Sequence, residues 1–495
     1  MACGEPPMRF VRTLILSIII LLVACTPLNS TQSAPTGTLG LLPSSSCGDG
    51  SCGSDENAVS CPQDCAAVAS AGRVVTTTIT SGDTKIAVLV TSPQTPRYAE
   101  GAGVVVVISP IFTPVEGFMT YPDLTSLGLV QVSYLWPGGT DSRTGVRSEG
   151  TFDYGGEQST AVLRDVIRFA AGRMADSNGR YIVSMTSVQP LTDELGLYAF
   201  ADAGIAAVNV LSLYGDQFQG LEYYVGNENP TVDTLSCLET GYYDITGQPI
   251  YNPFYTYPAS YSFQHLMLNY TNLRWDPTYT SPETSAVGRP YLDLDGNGVL
   301  GATDFVFDGQ VPVMFGKRYY SAALTQALLA NGALSLDTWP DDLATPDEAA
   351  QAWQFRQSPD RFAVMQKNNI VQDLKVMLVF AQEDHAQVEQ DKPHIHQAFQ
   401  GFRYQARLWV RLNPDRAYVQ SLMPEAGLDF PDNPANTEPD DWAQIGNYAY
   451  PNQGQAARLV SLAAVAEMAD RAHAGRWDEN LGQVFYRYPP STPQP

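Results

Sequence analysis

The feature that most constrains the fold is an unbroken run of aliphatic residues at 103–108, after which apolar runs alternate with amphipathic segments. A continuous β-branched run is typical of a strand that is buried on both faces of a sheet. Apolar residues also recur at helical spacing in the segment 157–171, which predicts an amphipathic helix. This alternation predicts an α/β fold with a mostly parallel, doubly wound sheet covered by helices on both faces. The predicted strands are 74–80, 84–91, 103–108, 127–135, 195–200, 375–381 and 407–412, and the predicted helices are 157–171, 204–214, 321–331, a segment opening at 345, 394–401 and 455–473.

The amino end has the pattern of an export signal. Arg9 and Arg12 precede an apolar stretch, 14–23, which is short for a membrane span. The following Leu-Val-Ala-Cys at 22–25 resembles the lipobox of bacterial lipoproteins, in which the Cys becomes the lipidated first residue. We therefore expect an exported protein, lipid-anchored to the cell envelope through Cys25 and facing outside the cytoplasm. A short membrane anchor or a buried strand is the alternative, and which membrane holds the anchor stays open.

The charge of the chain restricts its partners. The formal net charge is -24, and such a surface repels nucleic acid and anionic lipid. We expect no nucleic-acid partner, and contact with a membrane through the lipid anchor only.

Four cysteines cluster between residues 47 and 65. In an exported protein such spacing predicts a small module with two disulfides, whose pairing can take any of three forms. Nearby acidic residues could instead hold calcium, whereas zinc is disfavoured because no His is close. Outside this cluster, Cys237 is predicted to be a buried free thiol. The clustered residues are Cys47, Cys52, Cys61 and Cys65.

The segment 199–207 lies between a predicted strand and a predicted helix and is rich in small residues. It resembles the GxSxG turn of the α/β-hydrolase family, in which a nucleophile stands at a sharp bend. This resemblance covers residues 74–214 and 372–475 and implies the hydrolase fold. The nucleophile position falls on Ala201, whose methyl group cannot attack a substrate. A register shifted by one residue would use Asp202, as haloalkane dehalogenases of this fold use an Asp.

The remaining triad positions are incomplete. The loop after strand 375–381 resembles the acid loop of the family and puts Asp384 at the acid position, although a plain polar loop explains it equally well. His385 directly follows Asp384 and could turn back toward the elbow, the GxSxG-like turn at 199–207. The family's His should follow the last strand, where this chain has none. His473 comes later and is expected to be an exposed residue near a helix end.

These departures predict a hydrolase-like scaffold without the usual Ser and His, used as a binding protein or left as a degenerate hydrolase. An active ester or peptide hydrolase that acts through Asp202 or through unplaced residues is the alternative. A purely structural envelope lipoprotein is a third possibility. The insertion is rich in Tyr and Pro, so its rings could hold an unknown small molecule, peptide or glycan in a lid cleft, or could simply pack on one another.

The insertion also contains the most specific motif in the chain. Oxygen-bearing side chains stand at positions 1, 3, 5 and 12 of the segment 293–304, with Gly at position 6. Calcium requires six to eight oxygen ligands, and this spacing wraps them around one point. The loop resembles dockerin-type calcium loops and predicts a structural Ca²⁺. Its predicted ligands are Asp293, Asp295, Asn297, Val299 through its carbonyl, and Asp304.

The chain is thus divided into seven segments. They are a lipoprotein signal (1–25), a flexible tether (26–46), the cysteine module (47–65), the first part of the hydrolase-like domain (66–214), a lid insertion (215–371), the second part of the domain (372–480) and a Pro-rich tail (481–495).

Overall fold

Eight strands form the main sheet of this computed structural model, which describes residues 71–112, 116–280, 287–308, 311–367, 374–422, 436–451 and 455–477. Their order is β1-β2-β4-β3-β7-β8-β16-β17. β2 is antiparallel to both of its neighbours, and every other neighbouring pair is parallel. The strands are β1 (Ala71–Ser81), β2 (Thr84–Pro93), β3 (Ala102–Ile108), β4 (Val130–Tyr134), β7 (Pro190–Phe200), β8 (Leu221–Asn227), β16 (Lys375–Val379) and β17 (Trp409–Leu412).

Nine α-helices and nine short strands complete the part of the chain that the structure describes. The helices are α1 (Glu157–Ala170), α2 (Ala203–Tyr214), α3 (Thr234–Leu238), α4 (Ala322–Ala330), α5 (Pro346–Arg356), α6 (Asp360–Lys367), α7 (Pro393–Gln400), α8 (Arg416–Leu422) and α9 (Gln455–Ala474). The short strands are β5 (Thr140–Asp141), β6 (Val146–Arg147), β9 (Gly241–Tyr243), β10 (Pro249–Tyr251), β11 (Leu273–Thr280), β12 (Val287–Leu292), β13 (Phe305–Val306), β14 (Val313–Met314) and β15 (Lys317–Arg318).

The aliphatic run of β3 is buried on both faces of the sheet. Val104 and Val106 belong to the hydrophobic core that includes α1 and α2, whereas Val105 and Val107 belong to the core that includes α9. Because successive strand residues point to opposite faces, a strand between two helical layers must be apolar throughout. The prediction of an α/β fold is confirmed.

One boundary of the sequence analysis needs correction. Leu221–Asn227 was assigned to the insertion, but it forms β8, which pairs in parallel with β7 and β16. Its rings Tyr223 and Tyr224 are fully buried. A strand with two aromatic residues and a Gly lacks the aliphatic run that marked β3, so the pattern did not reveal it. The segment that leaves the main sheet therefore begins after Asn227.

The insertion has a hydrophobic core of its own, which includes Leu273, Leu292 and Leu324. α4 begins after a Ser321 cap, and α5 begins with a capping box between Thr345 and Glu348. Cys237 lies in the insertion as a buried free thiol, as predicted.

The signal, the tether, the cysteine module and the tail lie outside the described residues. The expected lipidation of Cys25 and the two disulfides of the cysteine module therefore stay predictions. Among the described helices, none has both the length and the apolar character that crossing a bilayer requires.

A buried ion pair fastens α9 to the loop between β2 and β3. Arg97 donates from Nε to Asp470 Oδ1 at 2.6 Å and from Nη2 to Asp470 Oδ2 at 2.8 Å. The hydroxyls of Tyr98 and Tyr418 also donate to Asp470, at 2.8 and 3.0 Å. The ring of His473 stacks on Tyr98 at 3.7 Å, and its side chain is only 28% exposed. The expectation of an exposed His473 was therefore wrong, because a tertiary partner covers the helix end.

We predict that Asp470→Asn destabilises the domain by about 3–5 kcal/mol, because it leaves the Arg97 charge buried without a counter-charge. Chemical unfolding measured by circular dichroism gives the loss. Asp193→Asn is the matched control, since Asp193 pairs with Arg173 on the surface and should contribute less than about 1 kcal/mol. Equal losses in the two variants would contradict the assignment.

Candidate functional site

Strained backbone residues mark the carboxyl edge of the main sheet. Three non-glycine residues, each directly after a strand, have positive φ values. They are Ala201 after β7 (48°), Glu228 after β8 (50°) and Asn413 after β17 (58°). Non-glycine residues rarely adopt this left-handed region, and such outliers concentrate at functional sites. These residues indicate a candidate functional site where the strands end.

The turn at Ala201 keeps the geometry of a strand-to-helix elbow. Asn229 Nδ2 donates to the carbonyl of Ala201 at 2.6 Å, and Tyr224 donates its hydroxyl to Asn229 Oδ1 at 2.6 Å. A Cβ placed on Gly204 would lie 2.4 Å from the Cβ of Asn229. Close packing alone thus requires a small residue at 204, whether or not position 201 carries a nucleophile.

The carboxylate of Asp202 lies against backbone N–H groups of the loop after β3. Phe112 donates its N–H to Asp202 Oδ2 at 2.7 Å, and Ile111 donates its N–H to Asp202 Oδ1 at 3.3 Å. In α/β-hydrolases, an N–H of this loop helps to bind the oxyanion of the reacting acyl group. Here a side chain of the protein accepts from that loop.

Asp384 is buried after the end of β16. Its Oδ1 accepts the N–H groups of Ala386 and Gln387 at 2.7 and 2.9 Å and lies 3.2 Å from His385 Nδ1. The side chain of His385 is 39% exposed, and its ring lies 5.1 Å from that of Phe200, the last residue of β7. The ring of His385 therefore contacts the end of β7 from the loop after β16.

Two further site residues were missed from the sequence, Glu228 and His394. His394 Nε2 lies 3.3 Å from Glu228 Oε2 and 3.3 Å from Asp384 Oδ2. Glu228 directly follows β8, which the sequence pattern did not reveal, and His394 is 166 positions away on α7. The sequence offered one signal for Glu228, namely a polar residue at the end of a strand. That signal can be used only once β8 is known to be a strand.

Burial and neighbouring charges shift the pKa values in the cluster formed by Glu228, Asp384 and His394. Burial raises the pKa of Glu228 to about 7, and the charge of Asp384 adds to that effect. Burial alone would raise the pKa of Asp384, but His385 and His394 outweigh it and hold that pKa well below its usual range. Burial alone would lower the pKa of His394, yet its contacts with Asp384 and Glu228 raise it. Near neutral pH the cluster thus combines a charged Asp384 with a Glu228 that is close to its own titration.

A second layer of charge lies at the start of α7. Lys392 is 1% exposed, and its Nζ has no hydrogen-bond partner among the described residues. Burial raises the pKa of Glu389 to about 8 and that of Asp391 to about 6. Asp391 accepts a 2.5 Å hydrogen bond from the hydroxyl of Tyr255, which belongs to the insertion.

Several of the insertion's tyrosines attach it to the rest of the fold. Tyr261 stacks on His396 at 4.2 Å, and Trp442 stacks on His396 at 3.8 Å. Tyr261 also donates its hydroxyl to Gln400 at 3.0 Å. These rings pack against α7, whereas Tyr251 is 45% exposed and remains available to a ligand.

Three of the five predicted calcium ligands lie close together. Ligand atoms of Asp293, Asp295 and Asp304 all lie within 4.8 Å of one another. Asn297 Oδ1 accepts the N–H of Val299, and Gly298 donates its N–H to Asp293 Oδ2 at 3.0 Å. Asp293 is 1% exposed, and its Oδ1 has no hydrogen-bond partner among the described residues. The loop thus turns around a point at which carboxylate oxygens converge.

Comparison with known proteins gives remote similarities only. No protein-family model and no curated protein matches the chain. Among solved structures it is similar to an arylesterase, with 13% identity and a TM-score of 0.24 over 33% of this chain and 47% of that one. It is also similar to a lidless serine hydrolase from Xanthomonas campestris, with 15% identity and a TM-score of 0.22 over 32% and 62% of the two chains. It is similar as well to an esterase from Pyrobaculum calidifontis, with 16% identity and a TM-score of 0.24 over 34% of this chain and 50% of that one.

The matched part of this chain spans about half the length of the arylesterase and of the Pyrobaculum esterase. At such low scores these similarities carry no further argument. The α/β assignment follows instead from the strand order and the helical layers of the structure itself.

Glu239, a buried acid of the insertion, makes the stability of the protein depend on pH. It accepts the N–H and the hydroxyl of Ser321, each at 2.9 Å, and burial raises its pKa to about 7. The folded state therefore keeps a proton that the unfolded chain has released above about pH 4.5. Stability is lost as pH rises through the window from about 4.5 to 7.

We predict that Glu239→Gln reduces this loss by about 1–3 kcal/mol between pH 5 and pH 8, because Gln is neutral at both values. Urea unfolding at several pH values measures the slope. Glu157→Gln, at an exposed position in α1, controls for the removal of a negative charge. An unchanged slope in Glu239→Gln would show that Glu239 is not the titrating group.

Proposed function

We propose that the chain is an exported, lipid-anchored protein whose α/β-hydrolase-like domain binds a ligand at the carboxyl edge of its sheet without serine hydrolysis. The observation that carries this proposal is the Asp202 carboxylate, which accepts the N–H of Phe112 at 2.7 Å directly beside Ala201. The strand order, with an antiparallel β2 followed by parallel strands, supports the hydrolase-like fold. The signal pattern at 22–25 supports the anchor.

Two requirements of acyl transfer are missing at this elbow. Ala201 offers no hydroxyl, so no acyl-enzyme can form on it. An oxyanion needs N–H donors that are free to stabilise developing negative charge, and here the carboxylate of Asp202 already accepts from the loop after β3. A substrate oxyanion would have to displace a charged side chain and would be repelled by it.

The position after β17, where the family carries its His, is held by Asn413. Its Oδ1 accepts the N–H of Phe380 at 2.9 Å, and its Nδ2 donates to the carbonyl of Tyr448 at 3.0 Å. These bonds fix the loop backbone and leave the amide in a structural role. The His residues near the edge, His385 and His394, contact Asp384 from its own loop and from α7.

The alternative function is hydrolysis of an ester or peptide with Asp202 as nucleophile. A carboxylate attacks best with an unshared oxygen aimed at the substrate, whereas both oxygens of Asp202 accept backbone N–H groups. Asp202 also has helical backbone angles, and the strained turn residue is Ala201. These contacts favour the binding function over the catalytic one.

The proposed ligand is a small molecule, a peptide or a glycan that lies between the sheet edge and the insertion. His385 and Tyr251 offer partly exposed rings, which suit contacts with flat or sugar-like groups. The net charge of -24 disfavours nucleic acid, and the lipid anchor accounts for membrane contact.

We predict that the full chain, purified in detergent, does not hydrolyse short acyl esters or peptide anilides above the buffer rate. Asp202→Asn should leave that rate unchanged, as should Asp216→Asn, an exposed control beyond α2. Members of the same panel that bind should raise the melting temperature without being cleaved.

Turnover by the parent that Asp202→Asn abolishes would refute the binding function and identify a carboxylate nucleophile. Turnover that survives Asp202→Asn but is lost in Asp384→Asn would instead point to the cluster of Glu228, Asp384 and His394 as the reactive centre.

We also propose that the loop at 293–304 holds a structural Ca²⁺. The buried Oδ1 of Asp293, which has no hydrogen-bond partner in the described part of the chain, supports a cation there, because an unsatisfied buried carboxylate oxygen is costly. The loop connects β12 to β13, which pair with each other. Bound calcium would therefore stiffen the sheet of the insertion.

We predict that calcium raises the melting temperature of the parent and that Asp293→Asn removes most of this gain. Calcium at about 100 times its dissociation constant should add about 2.7 kcal/mol of stability. Asp337→Asn, an exposed acid of the insertion, is the matched control and should keep the gain. An equal calcium response in Asp293→Asn would place the ion elsewhere.

A further inference from the structure

We infer that Glu228, Asp384 and His394 form a buried binding site for one divalent transition-metal ion, with Zn²⁺ as the representative case. One potential ligand atom from each residue lies within 4.8 Å of the other two. The side chains of Glu228, Asp384 and His394 are 3%, 2% and 5% exposed. The inference is independent of the proposed binding of an organic ligand.

Two of the three separations between these atoms match those around a tetrahedral ion. Zinc binds imidazole nitrogen and carboxylate oxygen at about 2.0–2.2 Å, so neighbouring ligands of a tetrahedron lie about 3.3–3.6 Å apart. His394 Nε2 lies 3.3 Å from Glu228 Oε2 and 3.3 Å from Asp384 Oδ2. Hydrogen bonds between the same atoms would be shorter, near 2.8 Å for a charged pair.

Backbone groups hold each carboxylate so that one oxygen remains for the ion. Glu228 Oε1 accepts the N–H of Ala381 at 2.5 Å, which leaves Oε2 toward His394. Asp384 Oδ1 accepts the N–H groups of Ala386 and Gln387, which leaves Oδ2 toward the same nitrogen. Fixed outer partners of this kind orient metal ligands. Glu228 also has a left-handed backbone, with φ at 50°, and such outliers concentrate at functional sites.

The charge of the cluster also calls for a cation. Both carboxylates face the single Nε2 of His394, and two buried carboxylates that share one nitrogen favour a cation placed between them. Lys392 is buried on the same helix end, but its Nζ makes no hydrogen bond within the described residues. A metal ion would replace the proton on His394 Nε2, and Nδ1, which lacks a described partner, would then carry the single proton of the neutral ring.

The ligand types distinguish this site from the calcium loop. Calcium and magnesium prefer oxygen ligands alone and take six or more of them. One imidazole with two carboxylates suits zinc, iron or manganese and leaves a coordination position for water or for an external ligand.

The experiment uses the full chain, stripped with a chelator and returned to excess calcium so that the calcium loop is filled. Zinc is then titrated by equilibrium dialysis and calorimetry. We expect one zinc per chain. His394→Gln and Glu228→Gln should each weaken binding more than about tenfold, since even changes to outer partners of metal ligands cost 10–100-fold. His265→Gln, at an exposed position of the insertion, is the matched control and should bind zinc as the parent does.

X-ray absorption at the zinc edge of the parent supplies a readout that does not depend on the folding of any variant. One imidazole nitrogen among oxygen neighbours is the expected shell. The absence of stoichiometric zinc, a shell without imidazole, or parent-like affinity in a folded His394→Gln would each overturn the inference.

Discussion

The main sheet is covered on both faces, and the placement of polar chemistry depends on this constraint. Val104 and Val105 lie side by side in β3 yet point into separate hydrophobic cores. Charged side chains are costly inside strands buried in this way, and the residues of the candidate site lie where the strands end. Ala201, Glu228 and Asn413 all stand at such ends, each in a left-handed conformation.

Packing alone explains the strand-to-helix turn at Ala201. Small residues around Ala201 are required because Asn229 packs against Gly204 and holds the carbonyl of Ala201. This packing is independent of a nucleophile. Asp202, the residue next to the turn, directs its carboxylate to N–H groups that an oxyanion would otherwise need. Geometry that suits hydrolysis in other proteins thus supports an internal contact here.

The cluster of Glu228, Asp384 and His394 concentrates charge where the insertion meets the sheet edge. Asp391, close to His394 in sequence, accepts a hydrogen bond from Tyr255 of the insertion. Tyr261 of the insertion stacks on His396, which lies on α7 together with His394. A ligand or ion bound at the cluster would therefore act on the contacts that position the insertion.

The sequence by itself determined the α/β class, the strand-to-helix turn at Ala201 and the close approach of Asp293, Asp295 and Asp304. Each of these depends on local spacing, which a linear pattern records. Only the tertiary structure decided that 221–227 is a central strand, because its buried tyrosines lack an aliphatic run. Only the tertiary structure places His394 beside Glu228, which is 166 positions away in sequence. It also places Tyr98 against the ring of His473. Contacts of this kind arise when the sheet brings remote strand ends together, and no local pattern encodes them.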